Sequence, residues 1–187
     1  MHAGTIEAVR EKLVVAINET DIVVQATVDT VTQILVTAIK DSGTANASLN
    51  DVIADVASGV IRGAAQVGAE LTQAATGLML GVLRSPTEAG TPALHVISHT
   101  AQIAIRETKA IGGDLEAVAR GLVAGAIEGA RKMGVSRGEA AAAAADGALK
   151  AANILGPQAF ETVQNAVTQR VHGITVVMKK PELAEAK

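Results

Sequence analysis

Apolar residues recur along this chain at spacings of three and four, and they show no sustained alternation with polar residues, so the repeating feature is one face of a helix rather than of a strand. The clearest stripes are Val28, Val31, Leu35 and Ile39, then Leu94, Ile97, Ala101 and Ile105, then Phe160, Val163, Val167 and Val171. Each is a helix side that must be covered. Stop signals separate the stripes. Gly68, Gly112-Gly113 and Gly134 end helical runs, and Ser85-Pro86-Thr87-Glu88 with Gly90 makes a turn. Thr91-Pro92 and Gly156-Pro157 restart the chain with proline in the first helical position. Ser48 with Asp51, then Asp114, are start signals, and Ser136-Arg137-Gly138-Glu139 has the spacing of a capping box. The pattern predicts an all-α protein of about eight helices, with spans near 5–18, 21–41, 49–67 and 70–84, then four more starting at Pro92, Asp114, Ser136 and Pro157.

Sliding the sequence against itself gives one gapless register, 66 residues long, in which 48–113 overlays 114–179. Thirteen pairs are identical, among them Gly59/Gly125, Gly63/Gly129, Gly68/Gly134, Gly81/Gly147 and Gly90/Gly156. Matches at glycines concern backbone geometry and so weigh more than matches at alanine. The expected organisation is a repeat of three-helix units: a truncated two-helix copy at 1–47, full units at 48–113 and 114–179, and a flexible tail at 180–187. Within helices, Gly59-x-x-x-Gly63, Gly121-x-x-x-Gly125-x-x-x-Gly129 and the run Ala140 to Ala145 supply small side chains that let backbones approach. Replacing Gly63 or Gly129 by leucine is expected to destabilise the fold through overpacking.

Composition narrows the function classes. The chain of 187 residues has no Cys, Trp or Tyr and one Phe, with 16 Lys+Arg against 19 Asp+Glu for a net charge of −3. A near-neutral balance gives a polyanion no field to follow, and without aromatics there is no stacking platform, so nucleic acid is not an expected partner. The lack of cysteine removes disulfides and thiolate zinc sites and suits a reducing compartment, so the expected setting is the cytoplasm. Charges at Glu7, Arg10, Glu11 and Lys12 interrupt any leader-like run, and the stretch Leu71 to Leu83 is too short to cross a bilayer. A mean hydropathy of +0.32 without a spanning segment places the apolar residues on amphipathic helices.

His95 and His99 stand four apart, a spacing that a divalent metal or haem iron uses on one helix face. They lie opposite the stripe 94, 97, 101 and 105, together with Ser98, Gln102 and Arg106 on an expected wet face. Their counterparts in the 66-residue register, Glu161 with Asn165 and Asp29 with Gln33, are ordinary surface polars, and no third ligand lies close in sequence. The pair therefore reads as surface histidines before it reads as a metal site. Glu7 with Glu11 and Asp51 with Asp55 sit near helix starts, where acids complement the helix dipole. There is no cysteine nucleophile, no Gly-x-Ser-x-Gly elbow and no phosphate-binding loop, so neither catalytic residues nor cofactors are expected.

The segment Val23 to Gly43, VVQATVDTVTQILVTAIKDSG, has a Thr/Gln/Asp face and a Val/Ile face. It resembles the Thr/Val-rich amphipathic helices of lipid-droplet coat proteins of the perilipin kind, and the whole chain resembles, more loosely, the helical phasins that coat polyester granules. That resemblance implies adsorption of an apolar helix face to a lipid or polymer surface, with no catalytic residue to carry over. The regular caps and glycine-matched repeat depart from an adsorbing coat and point to a prefolded body, in which Val24, Val28, Val31, Leu35 and Ile39 form a core stripe. The expected function is a non-catalytic helical protein that self-associates, as a homo-oligomer, or binds a partner through apolar helix faces. The alternatives are a granule or lipid-surface coat and, third, a metal-dependent or small-molecule enzyme whose residues converge only in three dimensions.

Overall fold

A computed structural model describes residues 2–20, 22–41, 49–85 and 92–169. Among these the regular structure is entirely helical: α1 (His2–Thr20), α2 (Val23–Asp41), α3 (Leu49–Gln66), α4 (Leu71–Arg84), α5 (Ala93–Ala110), α6 (Leu115–Gly129), α7 (Arg137–Leu155) and α8 (Pro157–Thr168), with a 3-10 turn at Ala130–Lys132. Ser48, the turn at 86–90 and the tail at 180–187 lie outside the described residues. Local chemistry sets the boundaries that are described. The Asp114 side chain accepts from the Ala117 N–H at 3.0 Å, Ser136 and Glu139 form a reciprocal capping box, and Pro157 opens α8. Pro92 sits one position earlier than expected, at the N-cap of α5. Gly68, Gly112 and Gly134 share φ of 68°, where a Cβ is penalised, and the Ala69 N–H to Ala64 and Gly113 N–H to Thr108 hydrogen bonds close two of these helix ends.

The stripes are core. Val28, Val31 and Leu35, then Ile97, Ala101 and Ile105, then Val163 and Val167 are buried, while Leu94 and Phe160 are half-buried. The Ile39 side chain and Val171 are not among the described atoms. The helices form two layers, because α1 to α7 each pack most broadly on a next-but-one neighbour, while α8 packs equally on α6 and α7: α1, α3, α5 and α7 make one layer and α2, α4, α6 and α8 the other. Chain-adjacent helices pack across the layers.

The step of this array is shorter than the three-helix unit. Helices begin at Leu49, Leu71, Ala93, Leu115 and Arg137, each twenty-two residues after the last, and Gly112, Gly134 and Gly156 keep the same interval. The 66-residue register spans three such steps, an odd number, so it overlays helices of opposite layers. No gap in the packing separates 48–113 from 114–179, since α5 packs on α7 across that line as α3 packs on α5.

Glycine makes the same-layer contacts close. A Cβ built on Gly59 would stand 2.5 Å from Val9 Cβ, one on Gly77 2.7 Å from the Val24 carbonyl, one on Gly81 2.6 Å from Val31 Cβ, and one on Gly125 2.6 Å from the Thr76 carbonyl. Gly121 on Thr72 and Gly147 on Ser98 are tighter still. The helices α3, α4, α6 and α7 thus present glycine to the same-layer helix before them. A glycine inside a helix costs ~1 kcal/mol relative to alanine, which close packing here offsets. At this spacing Thr76 Oγ1 reaches across to donate to the Gly121 carbonyl at 3.1 Å. Gly63 and Gly129 are looser than the sequence pattern suggests. The nearest atom to a Cβ on Gly63 is at 3.3 Å, and Gly129 faces the mobile tip of Leu83.

The helix α5 breaks this rule. At the twenty-two-residue positions where α4 and α6 carry Gly77, Gly81 and Gly121, Gly125, α5 carries His99 and Ile103. Correspondingly α3 and α5 touch less extensively than α1 with α3 or α5 with α7, and an ion pair from Arg62 to Glu107, 2.9 Å, bridges the gap.

Candidate functional site

The α1–α2 hairpin is the first of the described array, and its outer face has no helix against it among the described residues. The inner sides of the two helices are committed to their same-layer neighbours: Ile6, Val9, Arg10 and Leu13 meet α3, and Val24, Thr27, Val28 and Val31 meet α4. Turned away from these, Val15 and Ala16 of α1 and Ala26 and Thr30 of α2 floor a groove of about 560 Å³. Glu11, Lys12, Gln25, Asp29 and Gln33 form its polar walls. A smaller hollow of about 210 Å³ continues it past Lys12 toward Ile34 and Ala38. Gln25 Nε2 donates to Asp29 Oδ1 at 2.7 Å along the α2 wall, and on α1 Arg10 pairs with Glu7.

This face is distinguished by what occupies its helix-contact positions. Gly77 rests on Val24 and Thr27 as Gly121 rests on Thr72 and Ala75, which makes Val24 and Thr72, forty-eight residues apart, equivalent seats. Gly59 on Ile6 and Gly147 on Ser98 give the same shift for α1 once the regular forty-four-residue step between α3 and α5 is allowed for. Carried back by forty-eight, Gly59 and Gly63 fall on Glu11 and Val15, and Gly77 and Gly81 fall on Asp29 and Gln33. All four line the groove. Where α3, α4, α6 and α7 carry glycine against a neighbour, the first hairpin carries side chains.

Large apolar side chains left in water concentrate here. Among the described residues, Val15 is 54% exposed, Ile22 at the start of α2 60% and Ile154 on α7 79%. Two of the three belong to the first hairpin.

The histidine pair lies elsewhere. The His95 and His99 rings stack with centroids 6.1 Å apart and planes inclined by 10°. No third His, Asp or Glu joins them in a metal-sized group among the described residues. His95 is exposed, as expected, but Ser98, His99 and Gln102 are half-buried, so the wet face predicted for α5 is partly covered. The physical reason is the layer: α7 seats Gly147 on the Ser98 backbone, and a helix inside a two-layer array has covered sides to left, right and below. The acidic pairs depart from the expected dipole role: Asp51 stands in the first turn of α3, but Asp55 is buried further along it, and neither Glu7, which pairs with Arg10, nor Glu11 lies in the first turn of α1.

The groove is the feature that sequence reasoning missed. Its signal was the replacement of contact glycines by Glu11, Val15, Asp29 and Gln33. That signal is displaced four residues from the regular step, because α3 starts twenty-six residues after α2 rather than twenty-two, so a gapless comparison does not align it. No helix among the described residues is long and apolar enough to cross a membrane. A scan against protein-family models matches none of them, and a search of curated proteins finds no similar sequence.

Proposed function

We propose that this chain is a non-catalytic helical interaction protein, which self-associates or holds a protein partner through the apolar surface at the α1–α2 end of its array, in the cytoplasm. The observation that supports this reading is Val15: a β-branched side chain 54% exposed on the floor of an open groove that continues the array's own packing direction. Covering apolar surface of this kind stabilises a contact by roughly 25 cal/mol per Å² removed from water.

Adsorption as a coat draws less support. The stripe that resembles a coat helix, Val28, Val31 and Leu35, is buried, with Val28 and Val31 against α4, and exposing it would cost about 1.5–3 kcal/mol per side chain before any surface repaid it. Light scattering from micromolar to millimolar concentration tests the proposal. The expected mass rises above the 18.9 kDa of one chain. A constant single-chain mass, together with flotation on liposomes or polyester particles, would favour the coat instead.

A further inference from the structure

The α1–α2 face continues an interface that the chain already makes three times in each layer. Inside the chain the close form of that interface depends on glycine on the arriving helix: even a Cβ at Gly59, Gly77, Gly81 or Gly125 would fall within 3.0 Å of its neighbour, and α5, with His99 and Ile103 at these positions, meets α3 less extensively. At the end hairpin the same positions hold Glu11, Val15, Asp29 and Gln33. The α7–α8 end of another copy therefore cannot dock there at the glycine-tight spacing of α4 with α6 or α5 with α7, and head-to-tail growth into a filament is disfavoured.

We propose that the occupant of this face is the same face of a second copy, related by a two-fold axis, and that these four side chains make the contact a closed dimer. The inference rests on the self-association reading above and extends it by fixing the face, the symmetry and the stop. A patch that meets itself needs apolar surface at its centre and both signs of charge around it. Val15, Ala16 and Ala26 supply the first, and Lys12, Glu11 and Asp29 in the groove's walls supply the second. Within the chain, no salt bridge among the described residues uses Lys12 or Glu11, so both are available to a facing copy. The groove, at about 560 Å³, has room for several side chains from that copy.

The absence of cysteine makes the test clean, because one substitution introduces one thiol. Val15→Cys and Ile154→Cys are each oxidised mildly at equal concentration, and an equimolar mixture of the two is oxidised beside them. The expected result is a disulfide-linked dimer from Val15→Cys in at least about ten-fold higher yield than from Ile154→Cys. Cross-linking found mainly between the two variants in the mixture would overturn the two-fold contact in favour of a head-to-tail one. Equal yields from both variants, or an oligomer by light scattering with no Val15→Cys cross-link, would overturn this face while leaving self-association standing. A single-chain mass with no cross-link would overturn both.

Discussion

Gly147 lies against the backbone of Ser98, so that a Cβ at position 147 would come within 3.0 Å of the Ser98 carbonyl oxygen, carbonyl carbon and Cα. Backbone atoms cannot move aside as a side-chain tip can. Gly147→Ala is therefore expected to lose about 1–3 kcal/mol, although alanine is the better helix former by ~1 kcal/mol. Gly138, in the first turn of the same helix, has nothing within 4 Å of a built Cβ. Gly138→Ala should be neutral or gain up to about 1 kcal/mol. Urea denaturation of the two variants reads the contrast, and changes of the same sign and size would contradict the close α5–α7 approach.

The turn glycines act through backbone conformation alone. Gly112 has φ of 68° and open space around it. Gly112→Ala should cost about 1 kcal/mol, a loss of roughly 2–4 °C in Tm for a domain of this size, and Gly112→Asn clearly less because asparagine tolerates the left-handed region. Equal melting temperatures for the two variants would sink that account.

The capping box of α7 carries a pH dependence. The Ser136 N–H donates to Glu139 Oε2 at 3.0 Å and the Glu139 N–H donates to Ser136 Oγ at 3.1 Å. Hydrogen bonding by Ser136, its side chain first and its backbone second, holds the Glu139 carboxyl below its ordinary value of 4.5. A depressed folded-state pKa means a contribution present above the unfolded value and lost as pH falls through the folded one. The stability difference between the native chain and Glu139→Gln should accordingly be constant near neutrality and shrink below about pH 4. Ser136→Ala should cost about 1 kcal/mol at neutral pH. A difference between the native chain and Glu139→Gln that is independent of pH would remove the cap from the account.

Across the looser α3–α5 step, Arg62 Nε and Nη2 both donate to Glu107 Oε2, at 3.0 and 2.9 Å. Both partners keep contact with water, so Glu107→Gln should cost less than about 1 kcal/mol, and roughly 1 M salt should remove most of it. A loss of several kcal/mol, insensitive to salt, would mean that α5 depends on this pair for its position.

Much of the fold is legible from local chemistry. The stripes through Val31, Ile97 and Val163 mark buried faces because burial follows periodicity, and Gly68, Asp114, Ser136 and Pro157 mark boundaries because each satisfies or removes a backbone group at a helix end. The layers are not legible in the same way. A 66-residue register, three helix steps long, aligns Gly81 with Gly147 without revealing that the two helices belong to opposite layers, since both use glycine for the same purpose. The covering of Ser98 depends on the fourth hairpin, which nothing local to α5 announces. The end groove escapes for a related reason: Glu11, Val15, Asp29 and Gln33 are unremarkable polar and apolar residues until the seats of Gly77 and Gly121 show which positions they occupy.

Sedimentation equilibrium of the native chain beside Val15→Asp tests the central claim most directly, since an exposed position tolerates the substitution while an apolar contact does not. The native chain should move with concentration from 18.9 kDa toward twice that mass and no further, and Val15→Asp should stay at 18.9 kDa over the same range with an unchanged melting temperature. Identical profiles for the two proteins, whether both single-chain or both associated, would contradict it.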